Sequence, residues 1–401
     1  MGLVKRKKKQ SGETDFQIIE EEKDYESMLI KHRRRMASLM VVFFFVAIGL
    51  VVCVKIFLDH RVYENYEVTN TIEMGDVAKC KFYRYGEGVL RYSNDGISYM
   101  IGDNTVWNQA FEMKQPIVDV CREYMAIADL EGTGVYIYDV SGRQGEIQTD
   151  YPIIALEVSR QGVVAVITKS DVANVIEVYA KDGTNIAKGQ TVLSGDGTPV
   201  CLSISEDGTK LAVSYVYLSD GQAQTRVVFY NYSEVGKNEA GRIMGGFDYE
   251  GSLVSRVEFV TNDVVVSYAD DGITIYNMEE RPSVKKEIKI EKEIESVFYS
   301  DQYVGVALKD ESTLNRHTLH VYDLSGRKVL DTAVEFPYRE IQIQKDIVVL
   351  NNSEEMYMLT MSGVKKFQGK IEEGIVKVIP LSLENRFLII TNQNGEEIKL
   401  K

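Results

Sequence analysis

One short phrase recurs along this chain and limits what it can fold into. Residues 319–330 read LHVYDLSGRKVL and residues 135–147 read VYIYDVSGRQGEI. In both, alternating apolar residues lead to Tyr-Asp, then to Ser-Gly-Arg, then back to apolar residues. That order describes a strand, a tight turn and a second strand. Looser copies occupy 176–186 (IEVYAKDGTNI), 227–237 (VVFYNYSEVGK), 273–284 (ITIYNMEERPSV) and 356–367 (MYMLTMSGVKKF). A unit repeated at this period buries its apolar faces against copies of itself, so the fold is an array.

Residues 117–152 show the whole unit: IVDVCREY, MAIADL, GVYIYDV and a fourth strand after Ser141-Gly142-Arg143. With the third strand as a ruler, Tyr99, Tyr138, Tyr179, Tyr230, Tyr276, Tyr322, Met358 and Ile398 are separated by 39, 41, 51, 46, 46, 36 and 40 residues. Spacings of about 40 to 50 residues suit propeller blades. Only 6 Pro against 31 Gly, with 24 Tyr, fits strands joined by Gly-containing turns. The expected fold is all-β, a β-propeller of eight four-stranded blades, with seven as the alternative because the first and fourth units are irregular. The last unit, 375–401, ends after a third strand, and 62–74 (VYENYEVTNTIEM) is an orphan strand. Their pairing closes the ring and removes two sheet edges.

Ahead of the ring lies a tail, 1–36, with 10 Lys/Arg and 7 Asp/Glu and too few apolar residues for a core. Its basic cluster (Lys5 to Lys9) suits anionic lipid, whereas Phe16, Ile18 and Ile19 could dock a cytoplasmic partner. From about Asp15 the tail could continue as helix into 37–58. That segment holds an uncharged apolar run, ASLMVVFFFVAIGLVVCV, long enough to cross about 30 Å of hydrocarbon. The flank KIFLDHR lacks a small-x-small cleavage site, so the segment reads as an uncleaved signal anchor. Lys31, Arg33, Arg34 and Arg35 precede it and only Arg61 closely follows. The positive-inside rule therefore places the N-terminus in the cytoplasm and 59–401 outside the cell membrane, which the chain crosses once.

Net charge is -14 overall and -18 from Asp59 onward. Nucleic acid needs a concentrated positive field, so the body excludes it as a partner. Four cysteines at 53, 80, 121 and 201 are too few for a disulfide scaffold and read as small apolar strand residues, with a Cys80–Cys121 bridge as the alternative. Asp-Gly pairs at 95–96, 182–183, 207–208 and 271–272 read as hairpin turns, since none gathers the alternate carboxylates of a calcium loop. His317 and His320 would point to opposite faces of one strand, unsuited to sharing a metal. No G-x-S-x-G, P-loop or H-E-x-x-H stretch is present, and no cofactor is expected.

The phrases SEDGTKLAV (205–213) and VYDLSGRKVL (321–330) resemble the second and third strands of WD-type and quinoprotein-type blades. The layout of basic tail, apolar anchor and Tyr-rich propeller resembles a domain-of-unknown-function family of bacterial single-pass membrane-anchored propellers. The resemblance implies the fold and carries over no functional residues. This sequence lacks the Trp-Asp and Gly-His pairs of true WD repeats, and its single Trp107 is too few for a quinone-dependent dehydrogenase.

Site residues are sought on the inner strands around the axis. Aligned there, the units give one column of Lys79, Asp119, Ala155, Cys201, Arg256, Ser296, Glu340 and Lys377. The next column, Cys80, Val120, Leu156, Leu202, Val257, Val297, Ile341 and Val378, is apolar and reads as blade packing. The first column alternates in charge and faces a wet channel. Its polar members, Lys79, Asp119, Arg256, Ser296, Glu340 and Lys377, are candidate ligand contacts or else compensating ion pairs. Longer second-to-third-strand loops at 169–174, 218–224 and 309–316 would frame the mouth. The expected function is a membrane-anchored, extracytoplasmic platform for a protein, peptide or envelope polymer. The alternative is an enzyme, or an enzyme subunit, with a loop-built site on one face.

Overall fold

The computed structural model of the chain describes residues 11–192, 197–219, 221–310, 313 and 315–401; the side chains of 11–27, 52, 55–60 and 192 lie outside the description. The basic cluster Lys5 to Lys9, the docking side chains of Phe16, Ile18 and Ile19, residue 220 of the loop 218–224 and residues 311, 312 and 314 of the loop 309–316 therefore lie outside the described residues. The chain divides into two compact units, Met1–Arg61 and Val62–Lys401.

In the first unit a single helix, α1, spans Ser11–His60. No proline interrupts it. At about 1.5 Å per residue its length is about 75 Å, more than twice a hydrocarbon layer. Within it, Met28–Val51, uncharged from Met36 onward, is long and apolar enough by composition to cross a membrane, and its apolar stretch is not buried.

The second unit is a propeller of eight antiparallel four-stranded sheets. The blades are 81–110, 116–148, 153–192, 198–249, 254–289, 294–335, 340–370 and 377–400, the last completed by Tyr66–Ile72. Each blade has the sheet order of an up-and-down meander, because short turns let consecutive strands pair. Its apolar residues fall into eight clusters, each shared by two neighbouring blades. Ile347, Phe367 and Ile398 join blades 7 and 8, for example, and Ile72, Phe82 and Leu388 join blades 8 and 1. The core is thus a circle of interfaces, and the circle is complete.

The closing strand, Tyr66–Ile72, runs antiparallel to the last strand, Gly395–Leu400. Tyr66 pairs with Leu400, Glu67 with Lys399 and Ile72 with Gly395. The chain end adds a bond from the Lys401 N–H to Asn65 O at 2.9 Å and an ion pair between Lys401 and Glu67. Every third strand meets a bulge in its outer neighbour at the same rung, between 137 and 138 in blade 2 and between 321 and 322 in blade 6. In blades 1 and 7 that rung places Met100 and Leu359, rather than Tyr99 and Met358, beside Tyr138 and Tyr322. In blade 8 the bulge sits in the closing strand, at Thr69, between the rungs Val68–Ile398 and Asn70–Glu397.

The recurring Asp fixes the turn. Asp323 Oδ1 accepts from the N–H groups of Ser325 (2.9 Å) and Arg327 (3.0 Å) and from the Ser325 hydroxyl. Asp139 does the same for Ser141 at 2.7 Å. Gly326 has φ 81°, which glycine adopts at no steric cost. Asp182 and Asp207 accept from Thr184 and Thr209 two residues on, as hairpin turns require. All four cysteines carry free thiols, so the Cys80–Cys121 bridge does not form; Cys80 Sγ donates to Asp76 O instead.

Of the three expected long loops, 169–174 is shortened to a tight turn at 170–172 and 218–224 is continued strand. Lys169 pairs with Asn174, and the fourth blade's ladder runs on until Ser219 pairs with Gln222. The alternating residues there keep the hydrogen-bond ladder going where a loop was expected.

Candidate functional site

The inner strands are Lys81–Tyr85, Pro116–Cys121, Ile153–Val158, Thr198–Ile204, Val254–Thr261, Ile294–Tyr299, Glu340–Gln344 and Lys377–Pro380. Common register can be measured from the rung before each bulge. Ala155, Cys201, Arg256, Ser296, Glu340 and Lys377 then share one level. Lys79 and Asp119 do not: blades 1 and 2 place Lys81 and Ile117 there. Lys79 sits exposed in the turn before its strand. Asp119 lies two residues further along, and since a strand repeats every two residues it keeps the same face.

Asp119 thereby shares its level with Glu157, Ser203, Glu258 and Gln342, none of which the sequence columns contained. Reading the same strands at a period of two from Ala155 and Arg256 is the signal that finds the two glutamates. At this level the ring is stitched by side chains. Asp119 Oδ2 accepts from the Val158 N–H at 2.7 Å. Glu157 Oε2 accepts from the Ile204 N–H at 2.9 Å, and Ser203 Oγ from the Phe259 N–H at 2.9 Å. Each bond crosses to the next blade at the equivalent residue plus one. Glu258 bridges to Arg256 and reaches the Tyr299 hydroxyl of blade 6. Gln342 Nε2 donates to Val378 O at 3.1 Å in blade 8.

These groups sit deep enough to change their chemistry. Burial pushes the Asp119 carboxyl up to about 6; the amides of Val158 and Val120 oppose the rise and Glu258 adds to it. Burial, then Asp119 and Glu258, also raise the Glu157 carboxyl. Burial pushes the thiols of Cys121 and Cys201 up to about 12, so both remain protonated and unreactive at neutral pH. The guanidinium of Arg256 lies 5.4 Å from the Tyr299 ring centre, and the Arg256 side chain is 44% exposed. The Tyr268 hydroxyl, electrostatically coupled to Arg256 and Glu258, is buried and has no hydrogen-bond partner among the described residues.

Glu340 and Lys377 pair at 3.1 Å across blades 7 and 8, and Ser296 Oγ accepts from the Tyr338 hydroxyl at 2.8 Å. Among the described residues no cluster of His, Cys, Asp and Glu could hold a metal ion. His317 contacts Glu295 at 2.7 Å and His320 contacts Asp331 at 3.3 Å, in separate environments.

Where the inner strands of blades 1 to 3 end, Arg84, Arg122 and Arg160 line a cavity of about 620 Å³ with Glu87 and Glu123. Arg122 is held at φ 59°, a left-handed conformation uncommon for a residue with a Cβ. Its guanidinium pairs with Glu206 at 3.2 Å, and Arg84 Nη1 donates to Pro380 O at 2.9 Å. The inner strands thus offer a stitched polar axis and, at one end, an arginine-lined mouth.

The profile of a family of unknown function, DUF5711, matches residues 59–400. The chain belongs to that family. The DUF5711 propeller resembles the crystal structure of Sqt1 from Chaetomium thermophilum, with a TM-score of 0.55 and 12% identity over 84% of this chain and 100% of that one. At that identity the likeness speaks to fold alone. The Neurospora crassa Pan2 WD40 domain matches 71% of this chain and 88% of its own, with a TM-score of 0.42 and 11% identity. Among curated proteins, GTPase Der of Clostridium botulinum is 23% identical over 298 residues, 72% of this chain. The DUF5711 chain spans 62% of that relative's length. It lacks a P-loop sequence and folds as an all-β ring, so the likeness transfers no nucleotide chemistry.

Proposed function

We propose that this DUF5711 protein is a membrane-anchored propeller that holds its ring outside the cytoplasm as a platform for a protein, peptide or envelope polymer. The propeller fold is commonly an interaction platform. One observation carries the reading furthest: at the level of Asp119 the polar residues are committed to bonds between blades, while at the neighbouring level Arg256, Glu340 and Lys377 keep part of their side chains exposed, and open concavities such as the arginine-lined mouth lie where blades meet. Anchoring is supported by the exposed apolar window Met28–Val51, and the orientation by Lys31, Arg33, Arg34 and Arg35 near its cytoplasmic end. Residues 1–36 then meet anionic lipid or a cytoplasmic partner. At the axis, the ligand contacts are Arg256, Ser296, Glu340 and Lys377, with Asp119 on the same face; Lys79, in its turn, stands apart from them.

Crosslinking in cells, followed by purification of the full chain, tests this. A partner recovered with the wild type and lost with Arg256→Glu or Glu340→Lys supports the axis as the site. Recovery unchanged by both removes the axis, and no partner from the wild type removes the platform.

A second reading, an extracytoplasmic enzyme, is favoured by Asp119 and Glu157. Carboxyls that hold protons toward neutral pH suit general acid catalysis, and perturbed groups cluster at active sites. Bound chromophore or metal in the purified protein would favour it over the platform.

A further inference from the structure

The bonds that stitch the axis do not require charge. At the level of Asp119, Ser203 Oγ of blade 4 accepts the Phe259 N–H at 2.9 Å, and Gln342 Nε2 of blade 7 donates to Val378 O at 3.1 Å. Both fasten the next blade with neutral groups. Asp119 and Glu157 make the equivalent bonds, at 2.7 and 2.9 Å, with carboxyls. A neutral side chain does this without taking a charge out of water, which is the costly part. Three carboxyls at one level, Asp119, Glu157 and Glu258, therefore exceed what the stitching needs.

Their positive counterpart is a single guanidinium. Arg256 bridges to Glu258 on its own strand, and no ion pair reaches Asp119 or Glu157 among the described residues. Burial is the first cause that raises both of these carboxyls, and the neighbouring negative charges add to it: Glu258 for Asp119, and Asp119 with Glu258 for Glu157. Carboxyls held protonated in this way lack a cation. Among the described residues no cluster could hold a metal ion, so the missing charge is not met by one. A further polar group is left over at the same place. Tyr268 is the ladder partner of Arg256 and shares its face. Its hydroxyl lies in the field of Glu258 and Arg256, yet the residue is 1% exposed and the hydroxyl has no hydrogen-bond partner among the described residues. Asp119 and Glu157 themselves are only half-buried, which leaves them open to the channel.

We propose that this level of the axis binds a primary ammonium group, the side chain of a lysine presented by the partner polypeptide, between the carboxylates of Asp119 and Glu157. Glu258 stays with Arg256, and the Tyr268 hydroxyl completes the polar wall behind them. The ammonium takes the place of the protons that the two carboxyls otherwise hold, and each carboxyl that ionises releases one proton to solvent. Because the level lies inside the ring, the charge must arrive on a slim flexible stem, which the four-carbon chain of lysine supplies and the ring of an amino sugar does not. The inference rests on the platform reading and names the group that the partner inserts.

The test titrates the full-length chain in detergent micelles, at about pH 6, with a Gly–Ser peptide carrying one central lysine and with the same peptide carrying norleucine there. Calorimetry in two buffers of different ionisation enthalpy reads affinity and proton release together. The lysine peptide is expected to bind with release of protons, and the norleucine peptide to fail. Asp119→Asn and Glu157→Gln each keep an oxygen for the Val158 or Ile204 N–H, so the ring stays folded by melting. Each should weaken binding by about tenfold or more and reduce the proton release. Glu287→Gln removes an exposed carboxylate from the outer strand of blade 5 and should leave binding unchanged. Equal binding of both peptides, no binding of the lysine peptide, binding without proton release, or equal weakening by Glu287→Gln overturns the proposal. So does a glucosamine oligomer that binds in place of the peptide and is lost in Glu157→Gln. In-cell crosslinking separates the two claims. A partner recovered equally by wild type and by the double variant Asp119→Asn with Glu157→Gln overturns the lysine site and leaves the platform standing, whereas no partner from the wild type fails the platform.

Discussion

Asp119 of blade 2 accepts a hydrogen bond at 2.7 Å from the main-chain N–H of Val158 in blade 3, at the level where Glu157 and Ser203 repeat the same reach into blades 4 and 5. These side chains fasten inner strands that share no ladder, so the axis is a structural seam as well as a polar surface.

Removing one stitch leaves a half-buried amide without its acceptor. Asp119→Ala should lower unfolding free energy by about 1 to 3 kcal/mol, whereas Asp119→Asn, which keeps an acceptor oxygen, should cost less. Urea unfolding of the full chain checks both, and an Asp119→Ala midpoint equal to wild type would contradict the stitch.

The raised carboxyls set the direction of pH dependence. An Asp with an unfolded value of about 3.9 and a folded value of about 6 binds its proton more tightly when folded. Its contribution is therefore complete below about pH 4 and is lost as pH rises through about 6. Glu157, also raised, acts in the same sense. Melting temperature measured from pH 4.5 to 7.5 should include a component that declines with pH and that Asp119→Asn removes. An unchanged slope in that variant would refute the assignment.

Asp323 works the other way. Partial burial acts against its charge, but the Ser325 hydroxyl, the Arg327 and Ser325 amides and the Arg327 guanidinium outweigh it and hold the carboxyl down at about 2. Its contribution is present above about pH 4 and fades toward pH 2. Asp323→Ala and Asp139→Ala, at matching turns, should each cost about 1 kcal/mol near neutral pH, and unequal or zero losses by denaturant titration would break the equivalence.

Burial makes Cys121 and Cys201 poor nucleophiles. Maleimide labelling of the native protein at pH 8 should leave both largely unmodified until denaturant is added. Rapid native labelling of Cys201 would show that the inner strand of blade 4 is not packed as described.

Much of the ring was legible because its unit is local. A Tyr-containing strand, an Asp that caps the turn and a Gly with positive φ are read within a dozen residues, as 319–330 shows. The axis was harder. Glu157 and Glu258 lie two residues beyond Ala155 and Arg256, and only cross-strand pairing reveals that they share a level with Asp119. Four inner strands also carry a bulge, at 154, 200, 255 and 295, that the others lack, which shifts any ungapped alignment.

The strand Tyr66–Ile72 closes the eight-bladed ring by pairing with the chain's last strand. Glu67 and Lys399 are direct partners in that pairing, and cross-strand partners have Cα atoms about 4.5 to 5.5 Å apart, within disulfide range. In the doubly substituted protein, Glu67→Cys with Lys399→Cys, mild oxidation should link the two positions within one chain, and peptide mapping should recover that bridge. Efficient bridging, with a higher melting temperature, is the result expected. Failure to bridge while the protein stays folded, or bridging only between chains, would contradict the closure.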